Sequence, residues 1–285
     1  MTPSLFWQLL DSGLLPPQFI QGLEYNNGAA GYFVDYSGTK RPDALCRPTN
    51  AVASDTYSQR PVSTAELTGL CIVIVVTSPH TPYHDMSAAL RINIENGAVF
   101  GVVFCNQKTD LAKLSEHLPE LYTKYRASPF DVLAILFGYF GYEAEHCRER
   151  LDREVVRIEV ATGMTSLSID GSGMAGNDAK YASIIRDLHA CNTDLIFLGT
   201  LLDFEAELGE FCSRILHVFE GLRKRRGLRS FHNPRARDNF YQQLEFLKGM
   251  GRSRQRQTLA LKSRIQSQAD VVSSLLPSSP LQCQA

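Results

Sequence analysis

The chain has 285 residues, 44% of them hydrophobic, with 29 basic and 30 acidic side chains and a formal net charge of −1. This length and apolar content are enough for a full hydrophobic core and for two domains. The seven cysteines form no CxxC pair, and the start MTPSLFWQLL has neither the basic residues nor the cleavage site of a signal peptide, which argues against a disulfide-stabilised secreted protein. The longest apolar block, Leu70 to Val76, is too short to span a membrane, so we expect a cytoplasmic chain that forms no channel by itself.

Opposite charges are concentrated in the two parts of the chain. Residues 221–285 contain 13 basic and 3 acidic side chains, whereas residues 1–220 contain 16 basic and 27 acidic ones. Such a basic end suits an anionic partner: lipid headgroups, a phosphate backbone or the acidic part of a second copy. A solvated helical face without a partner is the competing interpretation.

The first half of the sequence predicts a sheet. Residues 1–68 read as a loop-rich opening with a strand or two. GLCIVIVVT (69–77) has the β-branched content of a buried strand, and LRINIE (90–95) alternates as a strand with one face exposed. AVFGVVF (98–104) follows across Asn96-Gly97, a strong hairpin signal.

Helical patterns follow the sheet. Residues 108–125 predict a helix that covers one face of it. Apolar residues at helical spacing then predict three much longer helices over 129–163, about 178–226 and about 238–276. In the last of these the apolar seam is typical of a coiled coil, which indicates packing against other helices and favours a homo-oligomer. Its members are Leu261, Ile265, Gln268, Val272 and Leu275.

Together these elements predict an α+β (mixed α/β) fold, in which an N-terminal sheet domain with helices precedes a long-helix stalk or bundle. We place the sheet domain, with its loop-rich N-terminus, at residues 1–128 and the long helices at 129–276. Residues 277–285, which contain Pro277 and Pro280, are expected to be a disordered tail.

Two segments carry a further pattern. Residues 177–216 contain a Leu-x-Phe-Glu-x-x-Leu signature, and residues 244–276 contain a helix that reads Leu-Lys-x-Arg-x-Gln-x-Gln. The matching residues are Leu202, Phe204, Glu205 and Leu208 in the first segment, and Leu261, Lys262, Arg264, Gln266 and Gln268 in the second. This combination resembles the cytosolic helices of fungal CorA-like magnesium-transporter homologues.

The resemblance implies the non-catalytic cytosolic part of a divalent metal ion transporter, with Mg²⁺ as the candidate ion and a membrane surface as a candidate partner. The chain departs from the family pattern because its sequence contains neither a transmembrane hairpin nor a Gly-Met-Asn signature. A truncated gene product, a gene-assignment error and a soluble paralogue all agree with this departure. The alternative function is a soluble helical module for oligomerisation or protein interaction, with no ion role.

The resemblance also implies acidic magnesium sites between subunits. Four carboxylates in the signature segment are candidates, although a solvated helix face explains them as well. They are Asp203, Glu205, Glu207 and Glu210.

A basic patch, Arg223, Lys224, Arg225 and Arg226, ends the second long helix. At the end of the helix these positive charges can interact favourably with the helix dipole, with anionic lipid or with nucleic acid. We rank nucleic acid last, because few aromatic residues are interleaved with the arginines.

Three other motifs are weaker. GSGMAG (171–176) matches GxGxxG but is followed by no second strand, so an interhelical loop is favoured over a dinucleotide site. His80, His84 and Asp85 favour a polar loop over a zinc site, and Cys147 a buried thiol over a nucleophile. No catalytic site and no certain cofactor are therefore expected.

Overall fold

The computed structural model describes residues 10, 15–24, 27–35, 69–82, 85–105, 128–163, 178–231 and 234–275. Within these ranges the order of elements is α1 (Pro17–Glu24), β1 (Asn27–Asp35), β2 (Cys71–Pro79), β3 (Met86–Asn93), β4 (Val99–Cys105), α2 (Asp131–Thr162), α3 (Asp178–Arg225) and α4 (Pro234–Leu275). The predicted α+β fold with long helices is confirmed. None of the helices described here combines the length and the apolar character that a membrane span requires. The helix predicted over 108–125, most of residues 1–68 and the tail 277–285 lie outside the described residues.

The four strands form one antiparallel sheet in the order β1-β2-β3-β4. The hairpin predicted at Asn96-Gly97 is confirmed: Gly97 has a φ of +71° and joins β3 to β4. Asn93 stabilises this turn, because its side-chain oxygen accepts hydrogen bonds from the backbone N–H groups of Glu95 and Asn96 at 2.7 and 3.1 Å. A local sequence signal and a side chain at the end of the strand therefore specify the same turn.

The predicted in-and-out alternation of β3 is wrong. Every residue of β2 and β3 is buried, including Arg91, which is only 4% exposed. The positive charge of Arg91 is paired with Asp35 of β1, whose carboxylate lies 2.5 Å from Nη2 of Arg91. Both faces of the central strands are covered, so polar residues of β3 are buried beside apolar ones.

The chain divides into two compact units. The sheet unit comprises residues 1–140 and 204–248, and the helical unit comprises residues 141–203 and 249–285. The divisions therefore fall inside the long helices, and the boundary predicted near residue 128 lies within the sheet unit. The helix segments 131–140, 204–225 and 234–248 belong to the sheet unit, which is why helical periodicity does not mark this division.

Aromatic side chains form much of the core of the sheet unit. Phe130 packs edge-on against Phe219, and Phe140 packs in the same way against Phe204, with ring centroids 5.1 Å apart in both pairs. The Phe204 ring also lies close to β1: a Cβ on Gly28 would be 2.8 Å from it. The two ring pairs thus join α3 to α2 and to the residue before it, and the Phe204 ring brings α3 against β1.

Buried residues in the helical unit follow steps of three and four along α3 and α4. On α3 this stripe consists of Ile184, Leu188, Cys191, Leu195, Leu198 and Leu202, beside which Leu201 is also buried, and on α4 it consists of Arg254, Thr258, Leu261, Ile265, Gln268 and Val272. Burial of the predicted α4 seam is thus confirmed for its members up to Val272. On α2 the buried stripe Cys147, Leu151, Val155 and Ile158 contains two consecutive steps of four. Two consecutive steps of four shift the buried stripe around the helix relative to a strict seven-residue repeat.

Candidate functional site

The signature residues of α3 and α4 are mainly core residues. Leu202, Phe204, Glu205 and Leu208 are all at most 3% exposed. On α4, Leu261 and Gln268 are buried and Arg264 is partly buried, whereas Lys262 and Gln266 are exposed. The two sequence patterns that suggested a family are therefore largely packing patterns of two long helices.

Polar contacts join α2 and α4 inside the helical unit. Arg264 donates from Nε and Nη2 to both oxygens of Glu159, each at 2.8 Å, and from Nη1 to Asp152 at 2.6 Å. This hydrogen bonding raises the pKa of the Arg264 guanidinium above its usual value, so the side chain stays charged. One turn further along α4, the buried Gln268 accepts a hydrogen bond of 2.6 Å from the Thr162 hydroxyl.

Such directional contacts fix how far α4 can slide along α2. A shift of α4 by one helical turn would separate Arg264 from Glu159 and Gln268 from Thr162 at the same time. Buried polar positions of this kind specify the register of packed helices more than they add stability.

The four candidate carboxylates of α3 do not come together. Asp203, Glu207 and Glu210 are exposed, whereas Glu205 is 2% exposed and faces the interior. Glu210 lies 2.8 Å from the ammonium group of Lys248, which also binds Glu245 at 2.9 Å. In the described part of the chain no three carboxylate, histidine or cysteine side chains are grouped as a metal site would require. Asp203 and Glu207 therefore belong to no such group in the described part of the chain.

Two of the weaker motifs are partly visible. His80 lies 3.3 Å from Asp85 through Nδ1 and is largely exposed, while His84 and the GSGMAG segment lie outside the described residues. Cys147 is buried, and burial raises its pKa to about 11, which keeps the thiol protonated near neutral pH. The prediction of a buried thiol at Cys147 is confirmed.

The structure separates Arg223 from the rest of the predicted basic patch. Arg223 is 7% exposed, and its Nε and Nη2 atoms donate to the backbone oxygen of Arg229 at 3.0 and 2.9 Å. Its Nη1 atom donates to the backbone oxygens of Ile94 and Glu95 at the end of β3. The guanidinium also lies 5.2 Å from the ring centroid of Phe231. Arg223 is therefore a structural cation that binds a turn of the sheet.

The residues after Arg223 form a cationic turn, which we define as Lys224, Arg225, Arg226 and Arg229. All four are exposed. α3 ends at Arg225 and is followed by Gly227, whose φ is +69°, and the N–H of Leu228 donates back to the oxygen of Arg223 at 3.0 Å. This arrangement is a Schellman-type cap, and it gives the backbone of the cationic turn a defined course.

A cavity of about 360 Å³ lies between α3 and α4 in the sheet unit. It is lined by Leu216, His217, Glu220, Arg237, Asp238 and Tyr241. The hydroxyl of Tyr241 is 3.0 Å from Nε2 of His217, and burial raises the pKa of Tyr241 above its usual value. The tyrosine therefore stays protonated and serves as a hydrogen-bonding group, not as a base.

Sequence reasoning did not find this cavity, because its residues lie on separate helices and share no motif. The sequence did contain a signal that Arg223 and Glu205 are buried. Both continue the steps of three and four along α3, from Leu202 to Glu205 and from Phe219 to Arg223, so the periodicity of the helix points them inward.

Comparison of the chain with protein-family models, with curated proteins and with solved structures found no match.

Proposed function

We propose that the chain is the non-catalytic cytosolic part of a CorA-like divalent metal ion transporter, with Mg²⁺ as the ion that it responds to. The observation that supports this proposal is that both signature segments lie on long helices, α3 and α4, of 48 and 42 residues. Their apolar signature residues are buried, so the pattern corresponds to a specific way of packing and not to surface composition.

In this proposal Mg²⁺ binds between copies, because the described residues of one chain do not bring the four candidate carboxylates into one group. Asp203 and Glu207 are exposed one turn apart on α3 and are available to a neighbouring copy. Carboxylate oxygens with retained water are the usual environment of protein-bound Mg²⁺. Millimolar Mg²⁺ should therefore shift the protein towards oligomers and stabilise it.

Sedimentation velocity and thermal melting with 0–20 mM MgCl₂ test this proposal. For an affinity of about 1 mM, 10 mM Mg²⁺ stabilises the bound state by about 1.4 kcal/mol, which raises the melting temperature by a few degrees. The double variant Asp203→Asn/Glu207→Gln should lose both responses. A matched control, Glu95→Gln/Glu149→Gln, removes two exposed carboxylates elsewhere and should keep them. Unchanged mass and unchanged melting over the whole Mg²⁺ range would contradict the proposal.

A helical interaction module without an ion role is the second candidate. Apolar side chains on the outside of the helical unit favour it: Val156, Val160, Ile196 and Leu259 are 38%, 54%, 63% and 64% exposed. Val156 and Val160 are one turn apart on α2, and neighbouring exposed apolar groups are typical of surfaces that bind other helices. This candidate predicts self-association that depends on protein concentration and not on Mg²⁺, so the same sedimentation experiment distinguishes the two functions.

A further inference from the structure

The cationic turn is a dense group of positive charges. Lys224, Arg225, Arg226 and Arg229 lie within six residues, and among the described residues no carboxylate forms an ion pair with any of their side chains. Elsewhere in the protein exposed cations do find acidic partners, as Arg157 does with Glu154 and Asp187, both at 2.9 Å. The charge of the cationic turn is thus directed to solvent.

The backbone of this turn is held in place by its neighbours. Arg223 binds the backbone oxygen of Arg229 and those of Ile94 and Glu95 with a single guanidinium. The Schellman-type hydrogen bond from Leu228 to Arg223 fixes the other side of the turn. The four free cations are therefore presented on an ordered backbone, which lowers the entropic cost of binding a partner.

We propose that the cationic turn docks the protein on a membrane surface that contains anionic phospholipids. Four long, exposed cations at the end of one helix suit the diffuse negative charge of a lipid surface. Each Lys or Arg close to such a surface contributes to binding, and the contributions of a cluster add. This inference depends on the charges alone and is independent of whether the chain responds to Mg²⁺.

Nucleic acid is the less suitable polyanion. Proteins that bind single strands combine cations with aromatic rings on which bases stack. The aromatic side chain nearest to the turn in sequence is Phe231, and its ring already packs against the Arg223 guanidinium and, at 6.1 Å between centroids, against Phe219. The Phe231 ring is therefore already engaged within the fold.

Co-sedimentation of the full chain with vesicles tests the proposal. We expect binding to vesicles of phosphatidylcholine with 30% phosphatidylserine in 50 mM salt, and no binding to pure phosphatidylcholine. Raising the salt to about 0.3 M should release the protein, because the Debye length falls well below 10 Å. Equal binding to both kinds of vesicle would overturn the proposal.

The variant Lys224→Ser/Arg225→Ser/Arg226→Ser should bind anionic vesicles about a hundredfold more weakly, since three cations near the surface are removed. Arg223 is left unchanged, because its loss would disturb the fold. The matched control Arg186→Ser/Arg256→Ser/Lys262→Ser removes three exposed cations of the helical unit and the same net charge. It should bind within about threefold of the unmodified chain, and a loss as large as that of the first variant would show that only net charge matters.

Three further measurements complete the test. Arg225→Lys/Arg226→Lys retains the charges and should bind as the unmodified chain does, and a thermal melt should show that all variants are folded. A 20-nucleotide single strand of RNA is added as a competitor. If it binds the protein more tightly than anionic vesicles do, at equal phosphate concentration and equal salt, the cationic turn is a nucleic-acid surface and the proposal fails.

Discussion

Arg264 of α4 binds both carboxylate oxygens of Glu159 on α2, with Nε and Nη2 each 2.8 Å from one oxygen. Replacing Arg264 with Ala leaves Glu159 and Asp152 without their shared cation. We expect a loss of about 1–2 kcal/mol in the free energy of unfolding, limited by the partial exposure of the pair. Urea denaturation measures this loss, which should diminish in 1 M NaCl because salt screens the pair. Lys262→Ala, an exposed cation on the same helix, should change stability by less than about 0.5 kcal/mol, and equal effects of the two variants would contradict the assignment.

Arg223 should behave as a core residue. Arg223→Met keeps an unbranched apolar stem but leaves the backbone oxygens of Ile94, Glu95 and Arg229 without their donor. The expected cost is about 2–4 kcal/mol, since buried polar groups lose charge-assisted hydrogen bonds. The amide of Gly97, in the adjoining turn, should exchange its hydrogen faster. Arg225→Met is the matched control, because Arg225 is exposed on the same helix end, and a similar loss of stability in both variants would argue against a structural role for Arg223.

Two glycines with almost the same φ angle allow the cost of backbone strain to be distinguished from the cost of a steric clash. Gly97 has a φ of +71° and Gly163 a φ of +72°. A Cβ on Gly97 would overlap the ring of Phe231, whereas a Cβ on Gly163 would meet no atom within 4 Å. Gly163→Ala should therefore cost only the strain of about 1–2 kcal/mol, and Gly97→Ala should cost clearly more. Thermal melting of the two variants makes the comparison, and equal costs would mean that the Phe231 ring moves aside freely.

Stability should fall at alkaline pH. Burial raises the pKa of Cys147 and of Cys191 from 9.0 to about 11. A thiol whose pKa is higher in the folded state stabilises the fold fully below pH 9, and this contribution is lost as the pH rises towards 11, because the unfolded chain ionises first. The free energy of unfolding, measured at pH 7, 9 and 10.5, should show the decline. In the variant Cys147→Ala/Cys191→Ala this free energy should fall less from the variant's own value at pH 7. A decline of the same size in this variant would assign the effect to other groups.

Local features of the sequence were sufficient to predict several elements of secondary structure. Asn96-Gly97 indicated a hairpin because these residue types favour tight turns, and the structure has a hairpin there. Its connection, residues 94–98, is longer than a two-residue turn, and Gly97 has positive φ whereas Asn96 does not. The long helices followed from apolar residues at steps of three and four, a pattern that depends only on the geometry of the helix itself. The β-branched run before Thr77 indicated a buried strand for a similar reason, since such side chains pack well on a pleated surface.

Only the tertiary structure decided the roles of residues that look alike in the sequence. Arg223 is buried and the next three cations are exposed, and Glu205 is buried among three exposed acids. Composition cannot separate them, because each role depends on where the residue lies around α3 and on which backbone or ring lies opposite. The same holds for the burial of β3 on both faces and for the contact between His217 and Tyr241, which are 24 residues apart. The physical reason is that local sequence sets the direction of a side chain, while its solvation and its partner are set by elements distant in the chain.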